Sequence, residues 1–576
     1  MAIRSDRGRA AAWAAPGLFV LILLIVYPLL TLLIQAIMPE LFAVHPRFTV
    51  SLRGAVSTFT SLENLKAIGN SLEIGIAASL LATVYGTITA FAVEHTARRT
   101  SSFMEALVWG VFFLPSYVVT EGWLVLLQDG GILAQLLHLP NGWSSWFFSR
   151  FGVFMVMGFR FFPFVHFAMR NAIRNVGPDL VHAARLSGAG AAATAIRVVI
   201  PLLMPALLAG ASLAFAEGFG DFGIAAAIAP QMHVPLLTYQ IFTALNQAPV
   251  DYGSAATLAL LVVLVTAGAI GLQQLLFRGR SYATVGHRNR EPVRLNRNSH
   301  AVVTLSALIL VLGFVVPLGA SFCASLWKVW SNGVAPGNWT LLNYVQVLHG
   351  DLESVAHAGH VGRDSLLRSI EYAFIAAVAA AAIGLWIGYQ LTFRKTRADR
   401  VVNILIMATV AIPGVVIAAS FIFAWNAVWL IPLHLVIYGT PICLAMAYVA
   451  ISLPYAIRLQ IGAMAQVPGS LLTAAHVLGA RGRTVIVRIV LPLVSATTIS
   501  TFFMTFAGVV FELPASSLLY PPGSPVFPIT IQARFNNFDW AQGSALGIMG
   551  VLVVFLFYGA GRFILSRADR TQEENR

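Results

Sequence analysis

The amino-acid sequence predicts an all-α membrane protein of about twelve spanning helices, arranged as two similar halves in tandem. Three observations support this prediction: composition, the spacing of apolar runs and an internal repeat. The 576 residues are 58% hydrophobic and only 10% charged, with a mean hydropathy of +0.80. A soluble globular domain carries roughly 25% charged residues. Backbone that crosses lipid must satisfy its hydrogen bonds within its own segment, so the apolar runs are predicted to be helices.

The apolar runs set the number of spans, because a helix needs about 20 apolar residues to cross the hydrocarbon. The first half has six such runs, near residues 12–38, 71–94, 103–127, 150–169, 202–222 and 254–277. The second half has six more, near residues 301–325, 367–392, 401–426, 436–456, 493–513 and 543–565. The first run follows three arginines, as a signal peptide would. It is too long for the apolar part of such a peptide, so we expect it to be the first span.

The charged residues indicate how the spans are oriented. Most arginines and lysines between spans lie in alternate loops, which all face the cytoplasm if both termini are cytoplasmic. The opposite loops hold fewer, among them Arg47, Arg53, Lys66 and Arg363. The net charge of +13 is therefore better explained by orientation in the membrane than by nucleic-acid binding. Cys323 and Cys443 lie within apolar runs, so neither a disulfide framework nor a cysteine metal site is expected.

Two polar stretches, 291 residues apart, carry the same pattern. His182-Ala183-Ala184 precedes Gly188 and Pro201, and Thr473-Ala474-Ala475 precedes Gly479 and Pro492 at the same intervals. Two alanines leave one helix face bare, a glycine permits a left-handed turn at the helix end, and a proline suits the first turn of the next helix. This pattern predicts a short helix across the membrane surface that can seat in a groove on a cytoplasmic partner. An ordinary amphipathic loop is the alternative.

Other residues repeat at an offset near 290. The paired positions are Pro115 and Pro413, Asp221 and Glu512, Thr238 and Thr530, Gln240 and Gln532, and Gly253 and Gly543. Both halves begin and end on the same side, so the repeats are parallel. We predict a first half at 1–277 with its polar loop at 176–201, a basic cytoplasmic linker at 278–300, and a second half at 301–576 with its loop at 467–492.

The paired loops resemble the EAA loops of bacterial ABC importer permeases, present here twice as in two fused permease halves. His182 and Thr473 stand where the consensus has glutamate. The resemblance implies a multi-pass subunit of the bacterial inner membrane that has no catalytic residue or cofactor of its own. The sequence contains no P-loop motif, so ATP and Mg²⁺ are expected on a separate ATPase, in two copies to match the two loops. A periplasmic or lipid-anchored binding protein would deliver the substrate, and lipid would surround the chain.

Further motifs concern the substrate. They are Leu114-Pro115-Ser116-Tyr117, Asp221-Phe222-Gly223, the stretch 411–416 and Glu512-Leu513-Pro514-Ala515-Ser516. Together they resemble the fused permeases of ferric iron importers. Permeases for thiamine, polyamines, 2-aminoethylphosphonate and sugar phosphates are similar, and these substrates remain alternatives. A secondary transporter is a more distant one, because it has no use for two EAA loops.

Ionisable residues within a membrane usually mark a function. Glu217, Asp221 and Glu512 lie near the predicted outer ends of the fifth spans, and carboxylates suit a hard cation such as Fe(III). The alternatives are that they pair with an arginine, cap a helix or lie among lipid headgroups. The position of the second half that corresponds to Glu217 is Gly508, so any site is asymmetric.

Four more residues are candidates for the substrate path. Tyr239 and Tyr520 could supply phenolate oxygens, although interfacial tyrosine is common. Pro115 and Pro413 are expected to break the third spans. Arg160 in the fourth span either gates the path, balances Glu121, or has a structural role. The 13 histidines show no metal-ligand spacing, so no metal site is assigned.

Overall fold

The computed structural model describes residues 16–42, 45–175, 178–232, 234–276, 299–349, 361–393, 399–409, 412–480 and 482–574. Nearly all of the predicted linker at 278–300, the start of the first EAA loop and Ala411 lie outside these residues. The described residues form helices and connecting turns without a β-strand, apart from one antiparallel bridge between Trp327 and Trp339.

The described residues of the first half form twelve helices of six or more residues. They are α1 (Pro16–Ile37), α2 (Arg53–Thr60), α3 (Leu62–His95), α4 (Arg98–Phe113), α5 (Ser116–Leu127), α6 (Ile132–Leu137), α7 (Arg150–Asn175), α8 (Pro178–Leu186), α9 (Ile196–Gly220), α10 (Gly223–Met232), α11 (Leu237–Asn246) and α12 (Tyr252–Leu276).

The described residues of the second half repeat this order without an α-helix that corresponds to α6. Its helices are α13 (His300–Ser325), α14 (Leu342–His349), α15 (Val361–Phe393), α16 (Asp399–Thr409), α17 (Gly414–Trp425), α18 (Pro441–Met464), α19 (Gly469–Val477), α20 (Ile486–Val510), α21 (Leu513–Leu519), α22 (Phe527–Asn536) and α23 (Trp540–Glu574).

Ten helices of the described chain are long and apolar enough to cross a membrane on their own. The third span of the first half is a broken one, in which the chain bends by 98° between α4 and the segment that starts at Ser116. The predicted span at 401–426 is present as two shorter helices, α16 and α17, on either side of residues 410–411. The break at Pro115 agrees with the prediction, because proline ends a helix by removing a backbone donor.

Four π-helical turns interrupt the first and fifth spans of each half. Each one ends two residues before a proline, and the four turns are Ile22–Val26, Ala195–Val199, Val311–Val315 and Ile486–Val490. The prolines are Pro28, Pro201, Pro317 and Pro492. A proline removes one backbone bond and its ring presses on the carbonyl four residues earlier, and a wider turn relieves that pressure. The helix therefore starts before Pro201 and Pro492, earlier than the pattern predicts.

The first span of each half packs against the other half. Tyr27 on α1 donates from its hydroxyl to the Ala424 carbonyl on α17 at 2.8 Å, and its ring contacts Trp425 edge-on at 5.6 Å. On α5, Gly122 lies against the backbone of Pro317 on α13, where a Cβ would come within 2.7 Å of the Pro317 carbonyl carbon. One large buried core accordingly runs through both halves.

Candidate functional site

The two helix breaks of the first half meet at the centre of the bundle. Pro115 begins α5 and Asp221 separates α9 from α10. The Asp221 carboxylate accepts a hydrogen bond from the Ile224 amide at 2.6 Å and one from the Ser116 hydroxyl. A Cβ on Gly223 would clash with the Ser116 hydroxyl oxygen and lie 3.1 Å from the Tyr117 nitrogen, so glycine allows this close approach. Asp221 thus caps α10 and fastens it to the start of α5.

The second half has the same arrangement with different side chains. Pro413 begins α17, and the Glu512 carboxylate accepts a hydrogen bond from the Ala515 amide at 3.3 Å to cap α21. A Cβ on Gly414 would lie 2.7 Å from that carboxylate and 3.2 Å from the Pro514 ring. Asp221 and Glu512 therefore each cap a helix. Capping is one of the three alternatives to substrate contact, beside pairing with an arginine and a place among lipid headgroups.

Contacts between the halves join these breaks into one central junction, formed by the first turns of α5, α10, α17 and α21. Gly220 packs on Pro413, whose Cβ would lie 2.8 Å from a Cβ on the glycine. The Tyr117 and Phe511 rings are 6.3 Å apart, centroid to centroid. Four helix N-termini point their positive ends toward this junction, and the two capping carboxylates lie among them.

Glu217 connects the halves beside the junction. Its carboxylate accepts a hydrogen bond from the Tyr455 hydroxyl on α18 at 3.1 Å. Tyr455 is 45% exposed although its hydroxyl reaches across to the other half. Sequence reasoning missed Tyr455. Its one signal is Pro454 beside it, which repeats Pro163 at the 291-residue offset.

Arg160 on α7 lies within electrostatic range of Asp221 and Glu217. It donates a long hydrogen bond of 3.4 Å to the Val111 carbonyl, and its guanidinium carbon lies 5.5 Å from the Phe161 ring centroid. Its buried Nε has no partner among the described residues. Of the alternatives for Arg160, charge balance is supported by Asp221 and Glu217, which lie near it, rather than by Glu121. Both lie on the segment around the end of α9, whereas Glu121 lies on α5.

The remaining candidates differ in position. Glu121 is buried on α5, one turn after Tyr117 and in electrostatic contact with it. Tyr239 is half-buried on α11, where its ring stacks on Phe242 with the centroids 5.9 Å apart. Tyr520 ends α21. Neither of these tyrosine hydroxyls bonds to a junction carboxylate in the described part of the chain, which also holds no group of three His, Cys, Asp or Glu close enough to bind a metal.

The two EAA loops share one backbone geometry. Gly188 follows α8 with φ of +85°, and Gly479 follows α19 with φ of +82°. In both, the residue after the glycine donates to the carbonyl five residues earlier: Ala189 to Ala184 at 3.0 Å and Ala480 to Ala475 at 2.9 Å. This is a Schellman cap, which needs a left-handed residue at the glycine. The predicted left-handed glycine turn is present in both loops.

Both loops expose apolar side chains next to these glycines. Leu186 is 90% exposed in the first loop, and Val477 and Leu478 are 82% and 86% exposed in the second. His182, Ala183, Thr473 and Ala474 are exposed as well. An apolar patch of this kind on a polar surface is typical of a contact with another protein.

Ion pairs hold the end of α7, where the first EAA loop begins. Arg170 contacts Glu94 on α3 at 2.7 Å and also pairs with Glu105 on α4, while Arg174 contacts the same Glu94 oxygen at 2.7 Å. The second loop is held differently. A small apolar cluster of its own, separate from the main core, packs it against α15 and α18; its buried members are Tyr389, Met464, Leu472, Ala475, Val485, Val490 and Val494.

The paired loops and paired breaks agree with a comparison to known protein families. The profile of the family described as binding-protein-dependent transport system inner membrane component matches residues 82–282 and again residues 380–570. The chain belongs to this family. The prediction of two tandem permease domains in an all-α membrane protein is thereby confirmed.

Three relatives illustrate the similarity. A probable ABC transporter permease protein, y4fN of Sinorhizobium fredii, is 28% identical over 96% of this chain and 97% of its own length. A putative ferric transport system permease protein, FbpB 1 of Haemophilus influenzae, is 26% identical over 81% of this chain and 72% of its own. The ferric transport system permease protein FbpB of Actinobacillus pleuropneumoniae is 24% identical over 86% and 71%. As a member of this family, the chain is a multi-pass inner-membrane transport permease that acts with a binding protein.

Proposed function

We propose that this permease forms the path for ferric iron in an ATP-driven importer, with both termini in the cytoplasm. The observation that carries the proposal is the matched pair of exposed EAA loops, which share their positive-φ glycine and C-terminal cap. Two equal loops suit two copies of one ATPase, which binds ATP and Mg²⁺. The loops contact that partner through His182, Ala183, Ala184 and Gly188, and through Thr473, Ala474 and Gly479, while Pro201 and Pro492 join them to their spans. Ala475 faces inward instead, in the apolar cluster of the second loop.

Transport proceeds by alternating access. ATP binding closes the two ATPases and moves the loops, which pull on α9 and α20. Each half then turns at the central junction, where Pro115 and Pro413 interrupt the spans, and the path opens toward the periplasmic or lipid-anchored binding protein. Hydrolysis returns the chain to the first state. The free energy comes from the partner's ATP, so this chain needs no catalytic residue of its own.

Iron is the substrate favoured by the carboxylates near the junction and by the named function of two relatives. Glu217, Asp221 and Glu512 offer the hard oxygen donors that Fe(III) requires. Each capping carboxylate accepts a hydrogen bond from a backbone amide at a helix start and retains lone pairs for a cation. Tyr239 and Tyr520 are outlying candidates for phenolate contact.

A second candidate substrate is 2-aminoethylphosphonate, and the observation that favours it is Arg160. A guanidinium with an unpartnered buried Nε beside two carboxylates suits a ligand that carries both a positive and a negative group. Iron without an anion has no use for this arginine.

The test is ATPase activity of the chain with its neighbouring-gene ATPase in nanodiscs. The neighbouring-gene binding protein is added after loading with Fe(III), thiamine, a polyamine or 2-aminoethylphosphonate in turn. We expect stimulation by the iron-loaded protein alone. Stimulation by another ligand would leave the assignment as an importer in place and replace iron as its substrate. If no ATPase associates with the chain, the coupling proposal is wrong.

A further inference from the structure

Two short helices, α2 and α14, occupy equivalent places in the two halves. Each one joins the first span of its half to the second span. Three spans separate each helix from the EAA loop of its half, so both helices lie on the side of the bundle opposite those loops. Their residues correspond at an offset of 289, which pairs Val56 with Val345.

The residues of α2 divide into three faces at about 100° per residue. Gly54 and Thr58 face the bundle: a Cβ on Gly54 would lie 3.0 Å from the Gly253 Cα, and Thr58 is fully buried. One flank is apolar and exposed, and consists of Leu52, Val56 and Phe59. The other flank is polar and exposed, and consists of Arg53, Ser57 and Thr60.

The helix α14 has the same three faces. Asn343 and Val347 face the bundle, and the Asn343 amide donates to the Ser325 and Trp327 carbonyls at 2.9 Å. The apolar flank consists of Leu341, Val345 and Leu348. Gln346 and His349 lie on the other flank, where Leu342 departs from the polar pattern. The six apolar side chains of the two flanks are 37–68% exposed.

These flanks continue the surface that the spans present to lipid. On α3, which follows α2, the side chains of Leu65, Ile76 and Leu80 are exposed along the span. On α15, which follows α14, those of Leu367, Phe374 and Val378 are exposed in the same way. In a membrane-spanning protein such exposed apolar positions meet acyl chains, and each apolar flank precedes one of these spans along the chain.

We propose that α2 and α14 lie in the headgroup layer of the membrane, with their apolar flanks among the acyl chains of the lipid and their opposite flanks in water. A helix with one apolar and one polar side lies in the plane of the interface. The small or buried inward residues hold each helix on the bundle, so lipid binds only the flank. In the orientation proposed above this is the outer leaflet. That assignment rests on the proposed function, whereas the lipid contact does not.

Spin labels in nanodiscs test this proposal. Single cysteines are placed on the apolar flanks as Val56→Cys and Val345→Cys, and on the opposite flanks of the same helices as Ser57→Cys and His349→Cys. The native thiols are removed as Cys323→Ser and Cys443→Ala. We expect the labels at 56 and 345 to collide severalfold more often with O₂, which dissolves in lipid, than with a water-soluble nickel chelate. The labels at 57 and 349 should show the reverse.

Two results would overturn the proposal. One is a water-like collision ratio on both flanks. The other is an apolar flank that becomes shielded only when the binding protein is added, which would assign the flank to that protein. Each labelled chain must first elute as the unlabelled chain does. Phe59→Cys and Leu348→Cys, one turn further on the same flanks, repeat the measurement if either valine variant does not fold.

Discussion

The two halves hold their EAA loops to the bundle by different means. In the first half, Arg170 and Arg174 at the end of α7 pair with carboxylates on α3 and α4. In the second half, the corresponding positions are Ile461 and Ala465, and the loop packs on its own apolar cluster. Among the described residues, the same backbone is therefore supported by an ion-pair network beside the first loop and by a separate apolar cluster at the second.

The halves also differ at the central junction. Glu121, Arg160 and Glu217 belong to the first half, and their counterparts in the second are Ala419, Ile451 and Gly508. Only the capping acid is shared, as Asp221 and Glu512. The repeated parts are thus the helix ends that build the junction, whereas the added charges lie on one side of it. A ligand in this path would meet an asymmetric surface.

The largest expected effect comes from the feature that the halves share. Gly188→Val and Gly479→Val each place a side chain at a left-handed residue, at a cost of at least about 1–2 kcal/mol in the capped loop. The population of the loop in its docked conformation should then fall by on the order of tenfold. We expect both variants to uncouple uptake from ATP hydrolysis in proteoliposomes that contain the partner ATPase.

Gly469→Val is the matched control for these variants, because that glycine has an ordinary φ and open space around it. Normal uptake per ATP in Gly188→Val or Gly479→Val would count against a coupling role. A loss in one variant alone would show that the two loops are not equivalent.

Arg170→Met separates the two kinds of support. It leaves Glu105 and part of Glu94 unpaired in a partly buried place, and breaking such a pair costs about 3 kcal/mol. We expect faster tryptic cleavage at Arg185 and a lower melting temperature. The exposed Arg174 contributes less, so Arg174→Met should cost under about 1 kcal/mol. Equal melting temperatures for Arg170→Met and the unchanged chain would show that these ion pairs do not support the loop.

Val485→Ala tests the apolar support of the second loop. Val485 is fully buried, and removing its two methyl groups costs about 1–2 kcal/mol. We expect faster cleavage at Arg488, by a factor that does not change between 0.1 and 1 M salt, whereas the Arg170→Met effect shrinks over the same range. The exposed Val487 serves as the control through Val487→Ala. A salt-dependent Val485→Ala effect would contradict the comparison.

The smallest effect is expected for the link between the halves. Tyr455→Phe removes the hydrogen bond to Glu217, which contributes about 1 kcal/mol. Since the bond joins α9 to α18, its loss should change the basal ATPase rate of the assembled importer by about fivefold. Tyr558→Phe, which deletes a hydroxyl on α23 that makes no hydrogen bond among the described residues, should leave the rate unchanged. An unaltered rate in Tyr455→Phe would mean that the link persists or breaks without consequence.

Local features of the fold could be predicted from the sequence because their causes are local. Apolar runs mark the spans, Pro115 marks a break, and the positive φ of Gly188 and Gly479 follows from glycine at a helix end. The number of spans was harder to predict. The third span of the second half consists of α16 and α17, and neither helix alone is long enough to cross the membrane.

Contacts between distant helices left no such signature. The Glu217–Tyr455 bond joins residues 238 positions apart, and no periodicity connects them. Tyr27 on α1 reaches Ala424 of the other half in the same way. The capping roles of Asp221 and Glu512 were among the alternatives, but choosing between capping and ligand contact needed the short helices α10 and α21 in place.

The four π turns change the rotational phase of the helices that contain them. A π turn accommodates one residue more than an α-helical turn, so the face of a span after the turn is rotated by about 100° relative to an uninterrupted helix. In α9 and α20 the turn lies between the EAA loop and the rest of the span. A single extra residue therefore sets the angle between two surfaces: the side of the loop that meets a partner and the side of the span that lines the path. Deleting one residue from Ala195–Val199 would rotate α9 about its axis relative to α8.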